Sequence, residues 1–218
     1  MIKLQGSSNE NFVVLGLGRS GMTSARALDA SGANVICWDD DQEKRSLASS
    51  QGFRVIGSVS DFDWESIDRL IISPGVPHHF PSPHPIVSAA VSAGVLIDND
   101  VGLFFQFIAT ESWDKFSVKP RIVAVTGSNG KSTTASLLHH IFLKLGYKSQ
   151  LAGNIGRGVL DIDPPENNEL LVLELSSYQI EVARILSPDL AIFTNFSADH
   201  LERHGGIGGY LAAKRRLF

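Results

Sequence analysis

The chain has 218 residues, a formal net charge of −4 and 43% hydrophobic residues. This length predicts one or two domains, and the apolar content excludes a disordered chain because it is enough to form a core. The charge excludes an extended nucleic-acid footprint, since the only tight basic cluster is residues 214–216. No apolar run is long enough to cross a membrane, the first residues lack a secretory hydrophobic region, and the single cysteine, Cys37, cannot form an internal disulfide. We therefore expect a cytoplasmic protein that binds neither membrane nor nucleic acid, and we expect a monomer.

The first half of the chain alternates short apolar strands with helical segments. This alternation is typical of an α/β fold with a doubly wound parallel sheet. Strands are predicted at 12–15, 34–38, 53–56, 69–72 and 95–97, and helices at 22–30 and 86–93. Residues 74–85 contain five prolines and three histidines, which predicts a loop.

A glycine-rich turn follows the first predicted strand. Gly16-x-Gly18-x-x-Gly21 lies between that strand and a helix, and Asp39 stands at the end of the second strand. This pattern is typical of a dinucleotide site, in which glycines allow close approach, helix amides bind the pyrophosphate and the acid binds the ribose. The same features suit any nucleotide diphosphate, with Ser20 as an additional hydroxyl donor. An NAD-dependent oxidoreductase, a site for a nucleotide-linked substrate and a tight turn without a ligand are all compatible with this segment alone.

A polar stretch at 110–120 predicts a domain boundary, with domains at 1–115 and 116–218. The second part begins a new α/β unit, which ends in a helical stretch with no C-cap glycine and no following strand. We therefore expect the chain to be an N-terminal piece of a longer protein. The unit has predicted strands at 122–126, 149–151, 170–174 and 190–195, and predicted helices at 132–145, 178–186 and 209–218.

A second glycine-rich turn stands between the strand at 122–126 and the following helix. Gly127-x-x-Gly130-Lys-Ser132 matches the shorter form of a phosphate-binding loop, and Val125 stands where the general pattern has a further glycine. Free amides at a helix N-terminus favour anions, Lys131 adds a point charge and the Ser132 hydroxyl is a ligand for Mg²⁺. The segment predicts a site for a nucleoside triphosphate, against the alternative of a glycine-rich turn with a surface lysine.

Two phosphate-binding turns in one chain disfavour the oxidoreductase hypothesis. A dehydrogenase needs only one such site, whereas an enzyme with a nucleotide-linked substrate and a nucleotide fuel needs two. Glu174, Asn154 and His200 each lie just after a predicted strand, at the edge where open α/β sheets bind ligands. Carboxylate and imidazole are metal ligands there, although each residue alone also fits a turn or a helix cap.

Five motifs of this chain resemble, in order and spacing, those of the Mur ligase family, and the resemblance covers residues 10–218. The run Leu-Ser-Ser-Tyr-Gln and the Ser-Asn pair of the phosphate loop look most like the D-glutamate-adding members. The motifs are Thr126-Gly-Ser-Asn-Gly-Lys-Ser-Thr133, Gly153-Asn-Ile-Gly156, Leu173-Glu-Leu-Ser-Ser-Tyr-Gln179, Asn195-x-x-x-Asp-His-Leu-Glu-Arg-His204 and Tyr210-x-Ala-Ala-Lys214.

The resemblance implies a Rossmann-like domain that binds a UDP-sugar, followed by the first part of a P-loop-type ATPase domain. It also implies an ATP- and Mg²⁺-dependent ligase that adds D-glutamate to UDP-N-acetylmuramoyl-L-alanine through an acyl phosphate, in peptidoglycan synthesis. The C-terminal domain of the family and the rest of its central domain are missing from this sequence, so we expect these 218 residues to lack ligase activity. A nicotinamide oxidoreductase and a non-catalytic UDP-sugar-binding module are the alternatives.

The resemblance also implies residue roles. Lys131, His200 and Lys214 would be catalytic, with Lys214 carbamylated by CO₂. ATP would be bound by Gly127, Ser128, Asn129, Gly130, Lys131, Ser132 and Thr133. Mg²⁺ would be bound by Ser132, Glu174, His200 and Lys214. The UDP-sugar substrate would be bound by Gly18, Arg19, Ser20, Asp39, Ser73, Pro74, Gly75, Asn154 and Ser176. One departure stands out: Gly102 replaces an acid of the family pattern.

Overall fold

The computed structural model describes residues 2–4, 6–111 and 113–218 and contains two sheets in which every described strand pairing is parallel. Ser112, within the predicted linker, and residues 1 and 5 lie outside this description. The first sheet has the order β3-β2-β1-β4-β5. Its strands are β1 (Asn11–Leu15), β2 (Asn34–Trp38), β3 (Arg54–Val55), β4 (Arg69–Ile72) and β5 (Leu96–Asp98).

The strand order of the first sheet reverses between β1 and β4. In parallel sheets a crevice opens at such a point, outside the carboxyl ends of the strands, and ligands bind there. Four helices accompany this part of the chain: α1 (Arg19–Asp29), α2 (Gln42–Ser50), α3 (Pro85–Ser92) and α4 (Asp100–Thr110). The predicted α/β class and all five predicted strands are confirmed within two residues at each end.

The second sheet has the order β7-β8-β6-β9. Its strands are β6 (Arg121–Thr126), β7 (Ser149–Gly153), β8 (Leu170–Glu174) and β9 (Leu190–Phe193), and its helices are α5 (Lys131–Lys144), α6 (Ser177–Val182) and α7 (Ile207–Arg215). Glu174 is in register with Val125 on one side and Gly153 on the other, so these strands end at one edge. We propose that the domain boundary lies near residue 115, between the two sheets.

Two helices, α2 and α4, were not predicted. Only Ala48 is buried in α2, so this helix has no apolar stripe, and it begins where the Asp41 side chain accepts the Glu43 N–H. In contrast, α4 is buried almost all round and therefore lacks the polar face that identifies a surface helix. It packs against α1 and against α6, so it belongs to the contact between the two halves of the molecule.

Helix α6 was predicted to reach residue 186 and ends at Val182. The Arg216 guanidinium donates to the carbonyls of Ile180 and Ala183, at 2.6 Å each, and the Arg184 N–H donates to Asp98 Oδ1 at 3.1 Å. These tertiary partners replace the next intrahelical hydrogen bonds. The prediction was wrong because the groups that end the helix lie far away in sequence.

The core continues from one sheet to the other. One cluster of buried side chains contains Phe104 and Phe105 of α4 together with Leu171 and Leu173 of β8. Asn99 strengthens this contact, because its side-chain amide donates to the Gln179 carbonyl at 2.8 Å. Across residues 2–4, 6–111 and 113–218, no helix combines the length and apolar character needed to cross a membrane.

Candidate functional site

The turn between β6 and α5 depends on its glycines. Gly127 has φ 141°, and a Cβ there would lie 2.0 Å from Thr194 Oγ1. Gly130 has φ 76° and is the N-cap of α5, so the following amides face outward at a helix N-terminus. The Ser128 N–H donates to the Asn195 carbonyl, and the Asn129 N–H donates to Asn195 Oδ1, both at 2.9 Å. Of the predicted phosphate-binding amides, these two therefore already have partners within the chain.

Three side chains of this turn differ in exposure. Lys131 Nζ donates to the Ser128 carbonyl at 2.8 Å, so the charged end of the side chain lies over the turn itself. Ser132 and Thr133 stand exposed in the first turn of α5. This arrangement places one positive charge and two exposed hydroxyls beside the helix N-terminus, which suits an anion with a bound cation.

Glu174 is buried at the end of β8, next to this turn, with 1% of its surface exposed. Its Oε1 accepts from Asn154 Nδ2 at 3.0 Å, while Oε2 is buried and has no hydrogen-bond partner among the described residues. A buried carboxylate oxygen without a donor is costly unless a cation or water completes it. Glu174 therefore fits the role of a metal ligand.

Lys214 of α7 is the most unusual cation of the molecule. Only 1% of it is exposed, its Nζ donates to the Gly127 carbonyl at 2.8 Å, and it lies 4.6 Å from the centre of the Tyr210 ring. Burial, followed by repulsion from Lys131, lowers the pKa of Lys214 to about 8. The amine consequently loses its proton more readily than an ordinary lysine does.

His200 adopts a backbone conformation that is rare for residues other than glycine. Its φ is 52° and its ψ is 31°, in the left-handed region, and its ring lies 5.1 Å from that of Tyr178. Non-glycine residues in this region often mark functional sites. Its Nε2 is 3.5 Å from Asp199 Oδ2, and its side chain is half-exposed. In the described part of the chain no three His, Cys, Asp or Glu side chains form a group that could hold a metal.

A cavity of about 200 Å³, the second cavity, lies at this edge of the second sheet. It brings together five predicted site residues of the second part with Pro74 and Gly75 of the first. Ser132 and Glu174 do not line it, although Glu174 contacts its wall through Asn154. The lining residues are Pro74, Gly75, Lys131, Asn154, Ser176, Ser177, Tyr178, Asp199, His200, Tyr210 and Lys214.

The first cavity, of about 440 Å³, lies beside the first sheet, at the point where its strand order reverses. All the first-domain residues predicted to bind the UDP-sugar line it. Pro74 and Gly75 line both cavities, so the two adjoin. The lining residues are Gly16, Gly18, Arg19, Ser20, Asp39, Lys44, Ser73, Pro74, Gly75 and Val76.

Polar side chains of the first cavity already make contacts within the chain. Asp39 accepts the Leu17 N–H at 2.6 Å and pairs with Lys44 at 3.4 Å, so it also holds the glycine turn. The Arg19 guanidinium donates to the carbonyls of Asn154 and Gly156, at 3.1 Å each, and thereby links α1 to the second sheet.

Lys44 and the rings of Tyr178 and Tyr210 were not selected as site residues from the sequence. Tyr210 belongs to the quoted motif Tyr210-x-Ala-Ala-Lys214, and its hydroxyl lies 3.1 Å from Ser128 Oγ. Lys44 lies five residues after Asp39, on a helix whose sequence carries no periodic signal. Only the folded chain indicates that these side chains border the cavities.

Two family models match the chain. The model described as Mur ligase MurD-like, N-terminal domain matches residues 10–98, and the model described as Mur ligase middle domain matches residues 125–218. The chain belongs to the Mur ligase family. The resemblance predicted from the five motifs is thereby confirmed, and the two matched regions together include all the predicted site residues of this Mur ligase chain.

Curated relatives of this Mur ligase chain carry the name UDP-N-acetylmuramoylalanine–D-glutamate ligase. Those from Roseobacter denitrificans and Cereibacter sphaeroides are 58% and 56% identical over 100% of this chain. A relative from Ruegeria pomeroyi is also 56% identical. The chain spans about half the length of these relatives, 47% of each.

A solved structure shares the fold of this Mur ligase chain. UDP-N-acetylmuramate:L-alanyl-gamma-D-glutamyl-meso-diaminopimelate ligase from Neisseria meningitides superposes with a TM-score of 0.57 and 17% sequence identity. The match covers 96% of this chain and 68% of that one. It supports the predicted α/β fold.

Proposed function

We propose that the whole protein is an ATP-dependent ligase that joins D-glutamate to UDP-N-acetylmuramoyl-L-alanine in peptidoglycan synthesis. The observation that carries this proposal is the pair of adjoining cavities, one beside each glycine-rich turn, with Pro74 and Gly75 lining both. A nucleotide-linked substrate in one cavity can thus present its far end to a second nucleotide in the other. The name of the curated relatives supplies the substrates.

The first cavity would bind the UDP part of the substrate. Its diphosphate would lie on the outward-facing amides at the start of α1, where Gly18 leaves open space because no atom lies within 4 Å of a Cβ built there. Lys44, beside Asp39, adds a positive charge to this cavity. Arg19, Ser20, Ser73, Pro74 and Gly75 would complete the contacts with the UDP-sugar, and Asn154 and Ser176 would contact its far end in the second cavity.

ATP would bind at the turn from Gly127 to Thr133, with its phosphates at the N-terminus of α5. Lys131 would leave the Ser128 carbonyl and bind the phosphates, since an ammonium group favours an anionic oxygen over a neutral carbonyl. Ser132, Glu174, His200 and Lys214 would hold Mg²⁺, which supplies charge neutralisation at the transferring phosphoryl group.

Lys214 would act as a carbamate. The ammonium group first loses one proton. The neutral amine then adds to CO₂ and releases a second proton, which leaves an anionic oxygen ligand suited to a hard metal ion. Burial and a pKa lowered to about 8 favour the neutral amine that this reaction needs. The carbamate nitrogen keeps one N–H, so the hydrogen bond to the Gly127 carbonyl can remain.

The reaction follows from the weakness of a carboxylate as an acyl donor. The substrate carboxylate attacks the γ-phosphorus of ATP, and ADP leaves. The D-glutamate amine then attacks the carbonyl carbon of the resulting acyl phosphate, phosphate leaves, and the nitrogen loses a proton to give the amide. Lys131 stabilises the charge of the transferring group, so catalysis is mainly electrostatic and positional. The site favours this chemistry over the two alternatives, because hydride transfer and simple UDP-sugar binding leave the second turn, Glu174 and His200 without a role.

The decisive experiment uses the full-length protein. ADP release is measured with UDP-N-acetylmuramoyl-L-alanine and ATP, comparing D-glutamate with L-glutamate, glycine and L-lysine. We expect turnover with D-glutamate only, and none in Lys131→Ala. Binding of NADH without binding of a UDP-sugar would instead support the oxidoreductase.

We also propose that the protein acts in the cytoplasm as a monomer.

A further inference from the structure

The loop at residues 73–76 occupies a central place between the two cavities. It follows β4, and all four of its residues line the first cavity, while Pro74 and Gly75 also line the second. Within the first domain it is fixed at its start, where Ser73 Oγ donates to the Gly16 carbonyl at 2.6 Å. The position of its other end therefore affects both cavities at once.

Arg203 of the second domain contacts that other end. Its guanidinium donates to the Gly75 carbonyl at 3.2 Å and to the Val76 carbonyl at 3.1 Å. A planar guanidinium can bind two carbonyls at once in a defined orientation, which an ammonium group cannot. The contact crosses from the second domain to the first over 127 residues of sequence.

Arg203 also contacts a side chain that lines the second cavity. Its guanidinium carbon lies 4.8 Å from the centre of the Tyr178 ring, which lines that cavity. Its backbone N–H donates to the His200 carbonyl at 3.1 Å, so the turn that carries Arg203 begins at His200. One side chain thus connects the 73–76 loop, the Tyr178 ring and the turn of His200.

We propose that Arg203 is a positioning residue that holds the 73–76 loop in the orientation needed by both cavities. It contacts no proposed ligand directly and acts through the carbonyls of Gly75 and Val76. The identity of the ligands, a UDP-sugar and ATP, rests on the proposed function, whereas the placement of the loop by Arg203 does not.

Arg216 offers a matched comparison. Its guanidinium also donates to backbone carbonyls, those of Ile180, Glu181 and Ala183, but all of these lie in the second domain. An Arg216→Ala variant therefore loses contacts of the same kind without releasing the 73–76 loop. Any effect specific to Arg203→Ala then reports on the loop and not on the general loss of an arginine that binds backbone carbonyls.

The first test is amide hydrogen exchange on the full-length protein without ligands. We expect faster exchange in Arg203→Ala for peptides that cover residues 73–80, while the Arg216→Ala variant exchanges there at the wild-type rate. Peptides covering residues 126–133 serve as an internal reference and should be unchanged in Arg203→Ala. Wild-type exchange of the 73–80 peptides in Arg203→Ala would overturn the proposal, whatever the protein binds.

The second test measures binding of UDP alone by calorimetry. We expect Arg203→Ala to bind UDP about tenfold more weakly, the ratio that corresponds to one hydrogen bond to a charged group. Millimolar methylguanidinium should restore much of this affinity, whereas Arg203→Lys should not, because an ammonium cannot span the two carbonyls. Binding of a non-hydrolysable ATP analogue should be unchanged, and in turnover kcat should fall while the KM for ATP stays constant.

The outcomes separate the two proposals. If wild-type protein does not bind UDP, the proposed function is wrong, and the exchange experiment alone decides the role of Arg203. If wild-type protein binds UDP and Arg203→Ala binds it equally well, the positioning role is wrong and the proposed function stands.

Discussion

At the residue scale, the absence of a side chain at Gly102 leaves room for the hydrogen bonds of the Asp98 carboxylate. A Cβ at this position would lie 1.8 Å from Asp98 Oδ1, and that oxygen accepts the N–H groups of Asn99 and Arg184. An acid at residue 102, as in the family pattern, therefore requires Asp98 to adopt another position. The departure noted in the sequence has a local steric reason that the sequence itself does not contain.

Gly102→Ala is accordingly expected to destabilise the fold by about 1–3 kcal/mol, because the methyl group displaces a buried carboxylate from its donors. Urea unfolding measures this change. Gly208→Ala is the control: it also lies in the first turn of a helix, but no atom lies within 4 Å of its Cβ. Alanine there should be neutral or stabilising by less than about 1 kcal/mol. Equal stability of the two variants would contradict the steric argument.

Lys214 carries the second prediction at this scale. Full-length protein incubated with ¹³C-labelled CO₂ should show a carbamate carbon signal that is lost in Lys214→Ala and retained in Lys131→Ala. Because the pKa of Lys214 is lowered to about 8, the neutral amine and hence the carbamate should increase as the pH rises towards 8. A signal that persists in Lys214→Ala would assign the modification to another residue.

At the scale of elements, the packing of α6 against its neighbours buries three titratable side chains. Glu181 of α6 lies 2.9 Å from His204 Nδ1 and 3.8 Å from His78 Nε2 of the first domain, near Arg203 and Arg216. Burial raises the pKa of Glu181 to about 7 and lowers the pKa values of His78 and His204 to about 4. Helix α6 and its neighbours therefore meet at Glu181, His78 and His204, whose charged forms are disfavoured by burial.

Glu181→Gln should change the pH dependence of stability. From its ordinary pKa of 4.5 up to about 7, the folded state binds more protons at Glu181 than the unfolded state, so this group lowers stability as the pH rises. The melting temperature of Glu181→Gln relative to wild type should thus increase between about pH 5 and pH 8. His78 and His204 act in the opposite sense from about pH 4 to pH 6.5 and are present in both proteins.

Thermal unfolding by circular dichroism at several pH values measures the effect. Glu65→Gln, which makes the same chemical change at an exposed position, is the control. A Glu181→Gln difference that is constant with pH would show that Glu181 is ionised in the folded protein throughout this range.

At the scale of the whole molecule, the two cavities belong to different sheets and meet at Pro74 and Gly75. All the first-domain residues predicted to bind the UDP-sugar line the cavity beside the first sheet. The chain, however, spans only 47% of the length of its relatives. We therefore expect both proteins to bind UDP, and only the full-length protein to turn over its substrates.

We expect the 218-residue chain to bind UDP and to show no ADP release with ATP, UDP-N-acetylmuramoyl-L-alanine and D-glutamate. The full-length protein should do both. Calorimetry with UDP and a coupled assay for ADP provide the two measurements. Asp39→Ala should abolish UDP binding in both proteins, because Asp39 also accepts the Leu17 N–H of the glycine turn. Measurable turnover by the short chain would show that its residues suffice for catalysis.

The sequence by itself determined the α/β class, the positions of nine strands and the two glycine-rich turns. These features depend on local properties of the sequence: the spacing of apolar residues, the glycines that follow strands and the order of residues in each motif. The motifs that indicated the Mur ligase family are local in the same sense. The tertiary structure alone decided the early end of α6, the buried helix α4, the free Oε2 of Glu174 and the link from Arg203 to the 73–76 loop. Each of these depends on groups that are distant in sequence, and burial and hydrogen-bond partners exist only once those groups are packed together.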